Sequence, residues 1–167
     1  MNYYLVAANH NIYPFQRVVE EVMKYGTVNW EITGKGNRHL NKGDICFFYY
    51  AGIPGVGMQG RILFSAVVLE GVHEMSRSEI YGNGDSAIVP GFTVADLKPL
   101  TSQAAADYVH GELIQKYKIH SVQPSVQMLS DQHSDLIRDL LFDTYSTDLE
   151  TFQDLQDTLF DQSNAPQ

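Results

Sequence analysis

Two kinds of hydrophobic pattern alternate along the first 130 residues, short continuous apolar runs and stretches with helical spacing. The run Tyr3–Ala8 is apolar and aromatic, which predicts a buried opening strand. After it, apolar residues recur at helical spacing between Phe15 and Met23. Pro14 suits the first turn of that helix, and Gly26 can cap its end. The chain is therefore predicted to open with a strand and an amphipathic helix.

Two further strands are predicted over residues 44–50 and 61–70, where apolar, aromatic and β-branched residues follow one another. The stretch between them, AGIPGVGMQG, is rich in glycine. We therefore expect two neighbouring strands joined by a mobile loop at residues 55–60.

A weaker strand signal follows. Residues 76–86 are polar and contain the sequence GNG, which predicts a loop. Residues 87–94 then predict a strand that the Pro-Gly pair at 90–91 interrupts.

The last third of the chain predicts helices around one short strand. A helix is expected over residues 102–117, a strand over 126–129 and a second helix from Ser130. A further helix is expected after Thr147, which forms a capping-box pattern with Glu150. This order of strands and helices predicts a mixed α+β fold.

No repeat or linker divides the chain, so we expect one α+β domain over residues 1–145. An acidic amphipathic helix is expected over residues 146–161, followed by a disordered tail over 162–167.

The composition, 44% hydrophobic in 167 residues, allows one domain with a sizeable core, and the net charge of −9 is concentrated at one end. Residues 131–167 carry nine acidic residues and one basic residue, whereas residues 1–130 carry eleven and ten. This balance argues against a protein that coats phosphate backbones by counterion release. The acidic helices are open to three interpretations: a solvated outer face of the core, a surface for a protein partner or self-association, or a shield.

Several kinds of site are disfavoured. The sequence GVGMQG at 55–60 matches a dinucleotide fingerprint, but the segment after it has the pattern of a strand, and the fingerprint requires a helix there. The six histidines do not pair at metal-ligand spacing, so no metal or other cofactor is expected. The only cysteine, Cys46, lies in an apolar run and is interpreted as a small core residue.

The N-terminal residues have neither a basic segment nor an apolar stretch of signal-peptide length, and no run is long enough to cross a bilayer. We therefore expect a cytoplasmic protein without a membrane partner.

The candidate chemistry lies in residues 29–50, NWEITGKGNRHLNKGDICFFYY. The only tryptophan, Trp30, stands between Asn29 and Glu31, so an indole that can stack on a base is next to groups that can bind a base edge. Three basic residues that could hold phosphates follow: Lys35, Arg38 and Lys42. The alternative is that Trp30 is a core anchor.

The order of these motifs over about residues 2–142 resembles the EVE domain of the PUA-like superfamily. Its YTH relatives share a Trp followed by a Gly-Asn-x-x-Leu turn, here Trp30 and the sequence GNRHL at 36–40. The resemblance implies a PUA-like curved β-sheet or partly open β-barrel flanked by helices. It also implies a base-binding aromatic cage with Trp30 as one wall and Asn29 beside it. The further cage and pocket candidates are Asn9, His10, Tyr49, Tyr50, Tyr81, Phe92 and Gln123.

The resemblance therefore implies a non-catalytic reader that binds a modified or flipped base of DNA or RNA. The alternative is a small-molecule-binding or protein-interaction domain on the same scaffold, in which Trp30 is structural. The sequence leaves open the modification, the choice between DNA and RNA, and the oligomeric state.

Overall fold

The computed structural model describes residues 1–8, 12–34, 36, 38–53, 58–99, 126–132 and 135. These residues form six strands, two helices and a helical segment at residues 131–132. In chain order the elements are β1 (Tyr3–Ala8), α1 (Phe15–Tyr25), β2 (Val28–Glu31), β3 (Ile45–Ile53), β4 (Met58–Ser76), α2 (Arg77–Tyr81), β5 (Ile88–Pro99) and β6 (Val126–Met128).

The six strands form one sheet in the order β2-β5-β4-β3-β1-β6. β1 and β3 are parallel, and the other neighbouring strands are antiparallel. The sheet is open, with β2 at one edge and β6 at the other among the described strands. The predicted mixed α+β class with helices flanking the sheet is confirmed, and the sheet is open and not closed into a barrel.

The main core lies between one face of the sheet and α1. The helix buries Phe15, Val18, Val19 and Val22 against that face, and the Phe15 ring lies 6.1 Å from the ring of Phe64 on β4. The helix ends where Gly26 adopts the left-handed conformation and donates its N–H to the Val22 carbonyl oxygen, 2.8 Å away.

The long strand β4 bends the sheet. Its pairing with β5 shifts register between Ser65 and Val67, between Val68 and Glu70, and again before His73. Such bulges bend a strand and increase its twist.

Gly91 of β5 lets β2 approach closely at the edge. A Cβ atom there would lie 2.8 Å from the Trp30 carbonyl oxygen and 2.6 Å from the Met75 sulfur, so no larger residue fits without displacing the strand.

Most of the predicted elements of the first half and the short late strand are confirmed. The strands predicted over 44–50 and 61–70 are longer than expected, since they extend into the glycine-rich stretch from both sides. The loop predicted at 55–60 is therefore wrong at residues 58–60, which belong to β4, while residues 54–57 of this stretch lie outside the described part. The prediction of a loop throughout 76–86 is wrong, because Ser76 and Glu79 form a capping box that starts α2. The expected interruption at residues 90–91 is also wrong, since β5 continues through both.

The short strand β2 was not predicted, because the alternation of Val-Asn-Trp-Glu extends over four residues only, which is too short to stand out in the sequence. Asp131 and Gln132 are helical, in agreement with a helix from Ser130. The helices predicted over 102–117 and after Thr147, and the tail at 162–167, lie outside the described residues, so the division into segments stays a prediction. Among the described helices, neither has the length and apolar character required to cross a membrane.

Candidate functional site

A small cavity lies where the end of β2, the turn before α1 and the helix α2 meet. Its volume is about 70 Å³. The described residues that line it are Ala7, Ile12, Tyr13, Trp30, Glu31, Thr33 and Tyr81. Three of these are aromatic and one carries a carboxylate.

The three aromatic rings surround the cavity from different elements. The Tyr13 ring centroid lies 4.6 Å from that of Trp30 and 6.0 Å from that of Tyr81, with interplanar angles of 40° and 57°. Trp30 is 5% exposed, and its ring packs edge-on against Phe48, 4.8 Å away. Trp30 therefore contributes to the core and to the cavity wall at the same time.

Glu31 connects β2 to α2. Its side chain is 7% exposed, and its two oxygens accept hydrogen bonds from Arg77 Nε and Tyr81 Oη, each at 2.8 Å. The hydrogen bond to Glu31 raises the pKa of Arg77 above its usual value. The pKa of Tyr81 is raised well above its usual range, first by burial and then by the same carboxylate. Glu31 thus fixes the position of the Tyr81 ring.

Tyr13 is held from several sides. Its backbone carbonyl accepts a hydrogen bond from Tyr50 Oη at 3.1 Å, and the Arg17 guanidinium lies 5.6 Å from its ring centroid. Arg17 also donates to the Ile80 carbonyl oxygen of α2 at 3.0 Å. Burial raises the pKa of Tyr13 strongly. The aromatic walls are therefore fixed to one another through α1, α2 and β3.

The local sequence explains how these side chains are positioned. β2 is paired with β5 so that Trp30 lies opposite Phe92 and Glu31 opposite Gly91. The capping box of Ser76 and Glu79 fixes the first turn of α2, and this turn carries Arg77 toward Glu31.

The structure brings together three of the predicted site residues, Trp30, Glu31 and Tyr81, at this cavity. Asn29 does not line this cavity. Its Oδ1 accepts a hydrogen bond from Thr93 Oγ1 at 2.7 Å, and its side chain lines a separate open groove beside Glu79.

The two predicted tyrosines of β3 occupy opposite faces of the sheet. Tyr50 belongs to the main core, and its hydroxyl donates a hydrogen bond to the backbone carbonyl oxygen of Tyr13. Tyr49 is buried on the other face, where burial raises its pKa to about 12. Phe92 is fully buried opposite Trp30. None of these three lines the described part of the cavity.

The predicted phosphate-binding residues lie on the segment that follows Thr33. Arg38 is exposed, and its guanidinium donates to the carbonyl oxygens of Gly36 at 2.8 Å and Gly34 at 3.0 Å. Lys42 is exposed as well. Lys35, Asn9, His10 and Gln123 lie outside the described residues, so their roles stay predictions.

Reasoning from the sequence missed Tyr13, which lines the cavity, and Arg77, which holds the lining residue Glu31. Tyr13 was overlooked because it stands outside the predicted strand and helix, although a tyrosine directly before Pro14 is well placed to be fixed by a helix start. Arg77 was overlooked because its partner Glu31 is 46 positions away in the chain. The Ser-x-x-Glu pattern at 76–79 was the available signal for the helix that carries it.

The other candidate chemistries find no support in the described part of the chain. No helix begins at the GVGMQG sequence, because β4 starts at Met58 within it. Cys46 is fully buried, as predicted for a core residue, and burial with the nearby Asp44 carboxylate raises the pKa of its thiol strongly. The described histidines and carboxylates do not form a cluster of three metal-ligating groups.

No family model matches the chain, and none of the curated proteins matches it. Solved structures do match. A hypothetical protein from Leishmania major has 13% sequence identity and a TM-score of 0.61, over 86% of this chain and 96% of that one. A protein from Pseudomonas putida has 15% identity and a TM-score of 0.58, over 83% and 98% of the two chains. These similarities show a shared fold.

Human THYN1, solved in complex with DNA that contains 5-methylcytosine, is matched at 13% identity over 84% of this chain and 97% of that one. Its TM-score is 0.48, which is too low for the likeness to support a conclusion about this chain.

Proposed function

We propose that this protein is a non-catalytic reader that binds a modified or flipped nucleobase in the cavity formed by Tyr13, Trp30 and Tyr81. The observation that carries the proposal is the meeting of three aromatic rings and one fixed carboxylate at a single small cavity. This arrangement agrees with the aromatic cage that the resemblance to EVE domains implies.

The size of the cavity supports a small planar ligand. A single water needs roughly 10–15 Å³ measured in this way, so a volume of about 70 Å³ holds about five waters. A base can enter such a cavity only after it leaves the stack. Stacking on an aromatic side chain then contributes roughly 1–3 kcal/mol per base.

Glu31 supplies the polar selectivity in this proposal. Each carboxylate oxygen already accepts one hydrogen bond, from Arg77 or Tyr81, and each has a second lone pair. An N–H group on the edge of a bound base can donate to it. Arg38, on the segment that leaves the cavity after Thr33, is a candidate contact for a flanking phosphate.

A binding role is favoured over catalysis by the composition of the walls. The described lining is aromatic and apolar apart from Glu31 and Thr33, and the Glu31 oxygens are already engaged. Such a carboxylate is suited to recognising and positioning a bound base.

The burial of Trp30 favours a second candidate, a small-molecule-binding or protein-interaction domain in which this residue is structural. Trp30 is 5% exposed and belongs to the core cluster. Its truncation to Ala would remove core packing worth roughly 3–5 kcal/mol, so a loss of binding in that variant would not separate the two functions.

Tyr81 offers a sharper test, because it is only half-buried and the exposed Tyr25 provides a matched control. Short DNA and RNA strands with one 5-methylcytosine or N6-methyladenine, and their unmodified parents, are titrated with the parent protein, Tyr81→Ala and Tyr25→Ala. We expect Tyr81→Ala to weaken binding of the preferred modified strand about tenfold or more, and Tyr25→Ala to leave it within about twofold.

The Tyr81→Phe variant, which keeps the ring and loses the hydroxyl, should retain most of the stacking contribution. Absence of binding to every strand, or equal losses in Tyr81→Ala and Tyr25→Ala, would contradict the reader function and favour the interaction domain.

A further inference from the structure

Ile12 is an exposed apolar side chain at the mouth of the aromatic cavity. It is 62% exposed and lines the same cavity as Tyr13 and Trp30. The other large apolar side chains that are exposed in the described residues do not line this cavity: Met1, Met23, Tyr25, Leu69, Ile88 and Met128. Ile12 is therefore a solvent-exposed apolar group beside the cavity entrance.

The two residues that follow Ile12 are held in place by contacts of their own. The next residue, Tyr13, is 3% exposed, and its carbonyl accepts the hydrogen bond from Tyr50. Pro14 follows with φ −60° and caps α1, where its carbonyl oxygen accepts from the N–H of Arg17 at 3.0 Å. Ile12 thus directly precedes a fixed residue of the cavity wall, Tyr13.

We propose that Ile12 is a wedge that enters the base stack and fills the gap left when a base of a duplex moves into the cavity. This inference rests on the proposed reader function and deepens it, because it names the substrate as a double strand from which one base is extruded. Apolar side chains such as Ile stabilise kinked or opened steps of a duplex by inserting between the bases.

The two features that extrusion of a base requires lie next to each other in this structure. An extruded base needs aromatic walls, which Tyr13, Trp30 and Tyr81 provide, and the vacated position needs an apolar group of limited size. Ile12 lies at the boundary between cavity and solvent, where the strand that carries the extruded base must pass. A single strand has no such gap, so Ile12 contributes little to its binding.

The experiment compares Ile12→Ala with Met23→Ala, a variant of another exposed apolar residue that lies on α1 away from the cavity. Short DNA strands with one 5-methylcytosine or N6-methyladenine are used alone, annealed to their complement, and annealed with a mismatch opposite the modified base. Affinities are measured for the parent and both variants.

We expect Ile12→Ala to weaken binding to the matched duplex by about fivefold or more and to leave the single strand within about twofold. The mismatched duplex should show a smaller loss, because extrusion costs less there. Met23→Ala should change none of these affinities by more than about twofold.

Equal losses on duplex and single strand would make Ile12 a simple rim contact and overturn the wedge, as would an unchanged duplex affinity. Binding of the parent to single strands alone, lost in Tyr81→Ala, would overturn the wedge and leave the reader function standing. Absence of binding to every strand would overturn both.

Discussion

At the scale of single residues, the Glu31 carboxylate determines the shape of the cavity. It lies at the end of β2 and accepts hydrogen bonds from Arg77 and Tyr81 at 2.8 Å each, which attaches α2 to the edge of the sheet. Tyr81 can therefore serve as a cavity wall only while Glu31 holds it.

Replacing Glu31 with Ala should lower the free energy of unfolding by about 1–3 kcal/mol, because two hydrogen bonds to a largely buried charged group are lost. Urea denaturation followed by circular dichroism measures this change. Glu20→Ala, on the exposed side of α1, is the control and should alter stability by less than about 0.5 kcal/mol. An equal effect of both substitutions would show that the Glu31 contacts do not stabilise the fold.

The same residues show which part of the site could be predicted from the sequence. Trp30 and Glu31 are neighbours in the chain, so a single stretch identified both as candidates. Tyr13 comes to Trp30, and Arg77 to Glu31, only through tertiary contacts: ring centroids 4.6 Å apart in the first pair and a hydrogen bond across 46 positions in the second. Local patterns carry no information about such distant pairs. Asn29 was placed beside Trp30 by its position in the chain, although its side chain bonds to Thr93 and lines a separate groove.

At the scale of elements, the short helix α2 forms one wall of the cavity. It has five residues, which is too short for stability by helix propensity alone. Its position is set by the capping box at Ser76 and by contacts of Arg17 with Ile80 and of Glu31 with Arg77. Long apolar runs such as β3 could be predicted because burial dictates their pattern, whereas α2 and β2 depend on these side-chain contacts and on pairing with β5.

Substitution of Ser76 by Ala should cost about 1 kcal/mol of stability, because the N–H of Glu79 loses its acceptor at the start of α2. Denaturant unfolding of the variant gives the value. Ser86→Ala, at an exposed position in the turn after α2, is the matched control and should have a much smaller effect. If the two variants are equally stable, the capping box does not hold the helix in solution.

At the scale of the whole molecule, the fold removes several tyrosine side chains from water, wholly or in part. Burial is the first cause of a raised pKa for Tyr4, Tyr13, Tyr49, Tyr50 and Tyr81. The folded state therefore favours the neutral phenol, whereas the unfolded chain ionises its tyrosines near the usual value of about 10.

The sign of the resulting pH dependence follows from linkage. The contribution of these tyrosines to stability is fully present below pH 10 and decreases as the pH rises through 10 toward the folded values, about 12 for Tyr49. We expect the urea midpoint to fall steeply above pH 10, and the part of the tyrosinate absorbance that comes from the buried rings to appear together with the loss of circular dichroism. Complete ionisation near pH 10 with the fold intact would contradict the buried positions of these rings.

The most direct test of the base-binding site uses Trp30, the single tryptophan of the chain, as a reporter in the cavity wall. A short strand with one modified base, selected from the binding panel, is titrated while Trp30 emission and the anisotropy of the labelled strand are recorded together. Stacking in the cavity predicts a saturable change in Trp30 emission with the same midpoint as the anisotropy, and its loss in Tyr81→Ala. Saturating anisotropy without any change in Trp30 emission would place the nucleic acid elsewhere on the protein and contradict the proposed site.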